Sequence, residues 1–195
     1  KKARHIDYEI EANWKVVIDN YVESYHTEVA HPGFCDYADF DSAFVEDGPW
    51  HTLMGGPSTD NVLDEYRRTG RLDVAGNRYN WTWPSTMMLF SSGPMNLFIW
   101  EAIPMAFDRT IFRHTFFFDL DADDLLTEQR EHMEMDGSLQ AEDTRLVEGV
   151  WRGLRSRAAS QGGRYVVNDA ETQHSERAVW RFQRRLQDIY DSVDL

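Results

Sequence analysis

Two histidines and several carboxylates are gathered in the stretch Asn20-Tyr21-Val22-Glu23-Ser24-Tyr25-His26-Thr27-Glu28-Val29-Ala30-His31-Pro32. Imidazoles combined with a carboxylate are the usual ligand set of a mononuclear non-haem iron site. Upstream, apolar residues recur at Trp14, Val17, Ile18, Tyr21, Val22 and Tyr25, the rhythm of an amphipathic helix. Asn13 is placed to cap that helix, and Pro32-Gly33 to end it. Residues five apart on a regular helix point about 140° apart. His26 and His31 can therefore share a metal only if His31 lies on a distorted last turn or just past it. Asp19, Glu23 and His26 fall on one helical face, which puts carboxylates behind His26, where they would orient its ring and set its tautomer. The competing reading of such a histidine is a solvated ion-pair partner.

A third ligand would have to come from elsewhere in the chain. In Leu139-Gln140-Ala141-Glu142-Asp143-Thr144-Arg145-Leu146-Val147 and on to Leu154, the apolar stripe Val147, Val150, Leu154 extends back to Asp143. A carboxylate on the buried stripe of a helix is costly unless paired or metal-bound. Glu142 and Glu148 lie off the stripe, where they can face water. Asp143 could instead sit in a first helical turn, where the macrodipole stabilises a negative charge without a metal.

Asn13-Trp14-Lys15, then Asp19-Asn20-Tyr21-x-Glu23-x-Tyr25-His26 and His31-Pro32-Gly33-Phe34, resemble the catalytic domain of Rieske non-haem iron oxygenase α subunits. Glu142-Asp143-x-x-Leu146-Val147-Glu148 and Arg152-Gly153-Leu154 match that family's distal motif, and the resemblance covers essentially the whole chain. It implies that His26, His31 and Asp143 hold Fe(II), next to which O₂ and a small-molecule substrate meet. It implies that Glu23 bridges to a [2Fe–2S] cluster on a neighbouring subunit, with Glu28 the other candidate for the bridge. Asn20 and Tyr25 would support the site. Glutamate at position 23 is similar to the branch acting on betaines, carnitine and related quaternary amines. The implied assembly is a homotrimer, with electrons from NAD(P)H delivered through a reductase or ferredoxin. Family members also carry an N-terminal Rieske domain with Cys and His cluster ligands. Cys35 is the single cysteine here, so that cluster cannot be assembled. The expectation is a single catalytic domain over 1–195, separated from its Rieske domain and inactive alone. The rival classes are a metal-free START-like module binding a lipid or small molecule, and a zinc hydrolase. Zinc sites more often use three histidines or cysteines, and no third nearby histidine is seen.

The 195 residues suffice for one buried core, and 42% hydrophobic with 13% aromatic content is globular. A formal charge of −14 repels phosphate backbones, which argues against a nucleic-acid partner and suits cationic substrates or basic redox partners. No apolar run has the length of a membrane span. The lone cysteine suits a reducing cytoplasm.

The elements that must position these residues can be read more coarsely. The first residues form a short lead into the segment from Tyr8 to Trp14, and residues 35–78, rich in Gly, Pro, Asp and Ser, read as loop and short irregular structure, which the resemblance implies covers the entrance to the active site. Thr86–Phe90, Met95–Ile103 and Arg109–Leu120 read as consecutive antiparallel strands, with Met87, Leu89, Leu97, Ile99, Ile111, Phe116 and Phe118 supplying the inner face. Helices are expected over 123–136, 139–158 and 170–193, the last with Val179, Phe182, Leu186, Ile189 and Val193 on one stripe. This is an α+β architecture. The resemblance sharpens it to a helix-grip fold (START-like, Bet v1-like), with an antiparallel sheet wrapped round a long C-terminal helix. Trp81, Trp83, Trp100, Tyr79 and Phe90 could line a pocket for a quaternary ammonium, or serve simply as core aromatics. His51 could reach that pocket, His114 could face cavity or solvent, and His5, His132 and His174 read as solvated.

Overall fold

The computed structural model describes residues 2–119, 122–157, 159, 163–167 and 175–193. Side chains are described for these residues except 2, 3 and 122–133. Seven strands form one antiparallel sheet in the order β1-β7-β6-β5-β4-β3-β2. They are β1 (Lys2–Ile10), β2 (Phe44–Asp47), β3 (His51–Gly56), β4 (Asn77–Thr82), β5 (Thr86–Phe90), β6 (Asn96–Ala106) and β7 (Arg109–Phe118). The helices are α1 (Trp14–Tyr21), α2 (Thr27–Ala30), α3 (Asp60–Thr69), α4 (Ala122–Leu154) and α5 (Arg177–Ser192), with a 3₁₀ turn at Phe34–Asp36. The expected α+β sheet-and-helix architecture is present, with more strands than the three read from sequence. No helix among the described residues is long and apolar enough to cross a membrane.

The core lies between one face of the sheet and α1, α4 and α5. Phe98, Ala102, Phe112, Phe116 and Phe118 from the sheet meet Val17 and Ile18 of α1, Val147 of α4 and Phe182 of α5. Cross-strand partners Phe98↔Phe116, Trp100↔His114 and Ala102↔Phe112 share this inner face. That corrects the expected face. Leu97, Ile99 and Ile111 are only partly buried and sit on the other side. Side chains alternate strictly, so Ile111 cannot share a face with Phe116 unless a bulge intervenes. The irregularity in β6–β7 pairing falls earlier, between Pro104 and Ala106.

Residues 35–78 are not mainly loop. They hold β2, β3, α3 and the start of β4. Gly55 and Gly56 belong to β3, whereas Gly70 caps α3 in the left-handed conformation. A Cβ at Gly55 would stand 2.4 Å from the Asn77 carbonyl, so glycine there permits close strand approach. The N-terminal lead is likewise a full strand, β1, paired along β7.

The two helices expected over 123–136 and 139–158 are one continuous α4. Gly137 and Ser138 weaken a helix, but tertiary bonds override them. Asp136 accepts from the Tyr8 hydroxyl at 2.9 Å and pairs with His114 Nδ1 at 2.9 Å, tying α4 to β1 and β7. The apolar stripe on α4 also differs from expectation. Val147 is buried, whereas Val150 and Leu154 are about half exposed, and Trp151 packs on Phe107 instead. The last helix begins at Arg177, after a non-helical Ser175-Glu176, and Val193 lies exposed beyond its end. The expected stretch 170–174 lies outside the described residues.

Phe182 is fully buried and makes edge contacts with Trp14 and Trp81. Phe182→Ala should cost about 3–5 kcal/mol in urea unfolding, whereas Val150→Ser should change stability by less than about 0.5 kcal/mol.

Candidate metal centre

Helix α1 starts where Asn13 Oδ1 accepts the Lys15 N–H at 3.2 Å, while Asn13 Nδ2 donates to the Phe107 carbonyl at 2.7 Å. It ends at Tyr21, well before Pro32. The cause is local. Glu23 Oε2 accepts the backbone N–H groups of Tyr25 and His26, building a turn that competes with helix continuation. His26 then precedes the short α2 and His31 follows it. This break solves the five-residue spacing. The two imidazoles meet edge to face, with centroids 5.3 Å apart.

Asp143 on α4 faces both rings. Its Oδ1 lies 3.0 Å from His31 Nε2 and 3.5 Å from His26 Nε2, and accepts from Asn20 Nδ2 at 3.0 Å. Asp143 sits deep within α4, so the helix-terminus explanation of its charge fails. One ligand atom from each of His26, His31 and Asp143 lies within 4.8 Å of the others. Bonds of ~2.1 Å at right angles would set ligand atoms ~3 Å apart, close to these separations.

Both rings are turned the same way by carboxylates. Glu23 Oε1 is 2.5 Å from His26 Nδ1, and Glu142 Oε2 is 2.7 Å from His31 Nδ1. A carboxylate on Nδ1 keeps the proton there and leaves Nε2 free to ligate. The donor set, two Nε2 lone pairs and one carboxylate, fits a divalent iron ion. Burial pulls the His26 imidazole down, but its hydrogen bonds to Asp143 and Glu23 outweigh it and bring it up to about 9, so a metal at Nε2 would displace a proton. Burial pushes the Asp143 carboxyl up, and the two imidazoles and Asn20 hold it well below the usual range.

Glu142 was expected to face water, yet it holds His31. Helical-wheel reasoning missed it because it lies one residue off the Asp143 stripe. A Glu directly beside a candidate ligand on the same helix was the available signal. Glu28 is exposed on α2, and its charge is felt at Cys35. Asp19 does not stand behind His26. Both its oxygens accept from Gln183 Nε2, at 2.7 and 2.6 Å, joining α1 to α5. Tyr25 is exposed.

A cavity of about 140 Å³, open to solvent, lies against these three candidate ligands. Tyr79 and Trp100 line it, as do Tyr21, Phe34, Phe40 and Phe112, which sequence did not single out for this. Trp81 is buried in the core, Trp83 packs on Phe182, and Phe90 is partly exposed, so these three are not cavity residues. His51 sits over Gly48, away from the cavity. His114 faces neither cavity nor solvent. It is fully buried on Asp136 and stacked 4.0 Å from Trp100. His5 is exposed as expected. The His132 side chain and His174 lie outside the described residues.

Residues 1–192 match the family described as the ring hydroxylating alpha subunit (catalytic domain). The chain belongs to this family. It is 30% identical over 189 residues to the carnitine monooxygenase oxygenase subunit of Acinetobacter baumannii, covering 94% of this chain and 49% of that one. The chloroplastic choline monooxygenase of Beta vulgaris is 26% identical over 176 residues, covering 86% of this chain and 36% of the relative. The crystal structure of the quaternary ammonium Rieske monooxygenase CntA with L-carnitine superposes with a TM-score of 0.77 at 28% identity. That match covers 96% of this chain and 48% of the other. The chain thus spans about half the length of the carnitine monooxygenase subunits it matches.

Burial raises the Asp19 carboxyl to about 7, against the bond from Gln183 and the charge of Lys15. The folded chain holds this proton more tightly than the unfolded chain, whose value is near 3.8. Ionising Asp19 therefore costs stability as pH rises from about 4 to about 7. Asp19→Asn should melt higher than the wild type at pH 8, by roughly 2–4 °C per kcal/mol relieved, and the gap should close towards pH 4.

Proposed function

We propose that the chain is the iron-binding catalytic domain of a Rieske-type monooxygenase that oxidises a small quaternary-ammonium compound. The observation that carries this reading is the convergence of His26, His31 and Asp143 at the wall of an aromatic cavity. His26 Nε2, His31 Nε2 and an Asp143 oxygen would hold Fe(II). When bound, the iron supplies activation of O₂ for insertion into a substrate C–H bond.

The remaining work falls to the protein's own side chains. Tyr21, Tyr79 and Trp100 offer aromatic faces to a cation, roughly 0.5–2 kcal/mol per contact. Glu23 and Asp143 add negative charge, and none of the described lining residues is Lys or Arg. Such a wall favours a trimethylammonium group over an anion. Ile10, Val17, Leu139 and Val147 add apolar lining. Asn20 fixes Asp143 by a bond from the helix that also presents Tyr21.

Electrons would come from a [2Fe–2S] cluster on a neighbouring subunit of a homotrimer, charged from NAD(P)H by a reductase. Glu23 is the favoured contact toward that cluster, because it touches His26 while Glu28 does not. The single cysteine, Cys35, is free and suits a cytoplasmic location.

Anaerobic reconstitution should give about one iron per chain by metal analysis, lost in His26→Ala and in Asp143→Ala. A folded wild type without stoichiometric iron would instead favour a metal-free binding module. Tyr79→Leu should weaken a trimethylammonium ligand roughly 2- to 30-fold in a fluorescence titration, and its neutral tert-butyl analogue much less.

A further inference from the structure

We propose that Glu142 is a positioning residue for His31, fixing the tautomer and angle with which that imidazole meets a metal. The inference rests on the reading of His26, His31 and Asp143 as metal ligands.

The two histidines are held in different ways. His26 is backed by Glu23, three residues earlier, within a turn the same segment builds for itself. His31 has no such local partner. Its Nδ1 reaches across 111 positions to Glu142 Oε2 at 2.7 Å. The His31 side chain is only 6% exposed, so little water can replace that partner. A neutral imidazole left without an acceptor at Nδ1 is free to carry its proton on Nε2. In that tautomer the nitrogen facing Asp143 has no lone pair to give. Glu142 removes that option.

Consecutive placement on α4 gives the arrangement its precision. Asp143 supplies the ligand oxygen and Glu142 orients the ligand opposite it, both from one stretch of a rigid helix. The same bond ties the segment after α2 to α4. Glu142 is itself 32% exposed on its side chain. Its removal therefore opens no core cavity, and a positioning role can be separated from a stability role.

Co(II) titration of the whole chain, read by its visible ligand-field bands and by chelator competition, tests this. Wild type should be compared with Glu142→Ala, Glu142→Gln and, as a control on the same helix, Glu148→Ala. Glu142→Ala should weaken Co(II) binding roughly 10- to 100-fold and change the band pattern. Glu142→Gln, which keeps an acceptor oxygen, should recover most of both. Glu148→Ala should match the wild type, and the metal-free melting temperatures should stay close together. Wild-type affinity and bands in Glu142→Ala would overturn the proposal, as would an equal loss in Glu148→Ala. A folded wild type that binds no Co(II) would overturn the metal reading itself, and this inference with it.

Discussion

The site depends on how α4 is clamped to the sheet. Asp136 takes the Tyr8 hydroxyl from β1 through a part-buried hydrogen bond and the His114 imidazole from β7 through a buried one. Asp143 follows seven residues later, two turns along the same face. Gln140 and Val147, at 4% and 2% exposure, continue that buried face on either side of it. A buried carboxylate is tolerated only while its partners stay in place. A slip of α4 by one residue would turn Asp143 away from both imidazoles. The polar clamp thus converts sheet rigidity into ligand geometry, the kind of support a preorganised site needs.

The histidine side of the site follows the opposite logic. Here precision comes from interrupting a helix. Glu23 draws the N–H groups of Tyr25 and His26 into a turn, and the same carboxylate holds the His26 ring. One side chain breaks α1 and aims the ligand beyond the break. His31, past the one-turn α2, then faces His26 across a gap that a continuous helix would not allow. Carboxylates back both rings, so the two nitrogens facing Asp143 are the ones left to ligate.

Much of this was legible in the sequence because it rests on local chemistry and motif order. His26, His31 and Asp143 announce themselves by residue type, and the structure brings them together. What sequence hid was hidden for physical reasons. Helix α1 was read through to Pro32 because its apolar rhythm continues to Tyr25, whereas a side-chain bond ends it at Tyr21. Strand β3 was masked by Gly55 and Gly56, whose purpose is close backbone approach rather than turning. The phase of the inner face was missed on β6 and β7 because aromatic and aliphatic residues occupy both sides, so hydrophobicity alone does not set parity. Glu142 was passed over because a helical wheel sees one helix, and its partner comes from the far end of the chain.

The cavity combines aromatic walls and acidic lining residues with two histidines and one carboxylate that could hold a metal. Family membership places that cavity in the catalytic domain of a ring hydroxylating alpha subunit. The central claim is that one metal ion sits among three named side chains. Anomalous diffraction at the iron edge, from crystals of the Fe(II)-loaded chain, tests it most directly. The account predicts a single strong peak at bonding distance from His26 Nε2, His31 Nε2 and an Asp143 oxygen. A peak elsewhere, or none in crystals grown from iron-loaded protein, would contradict it.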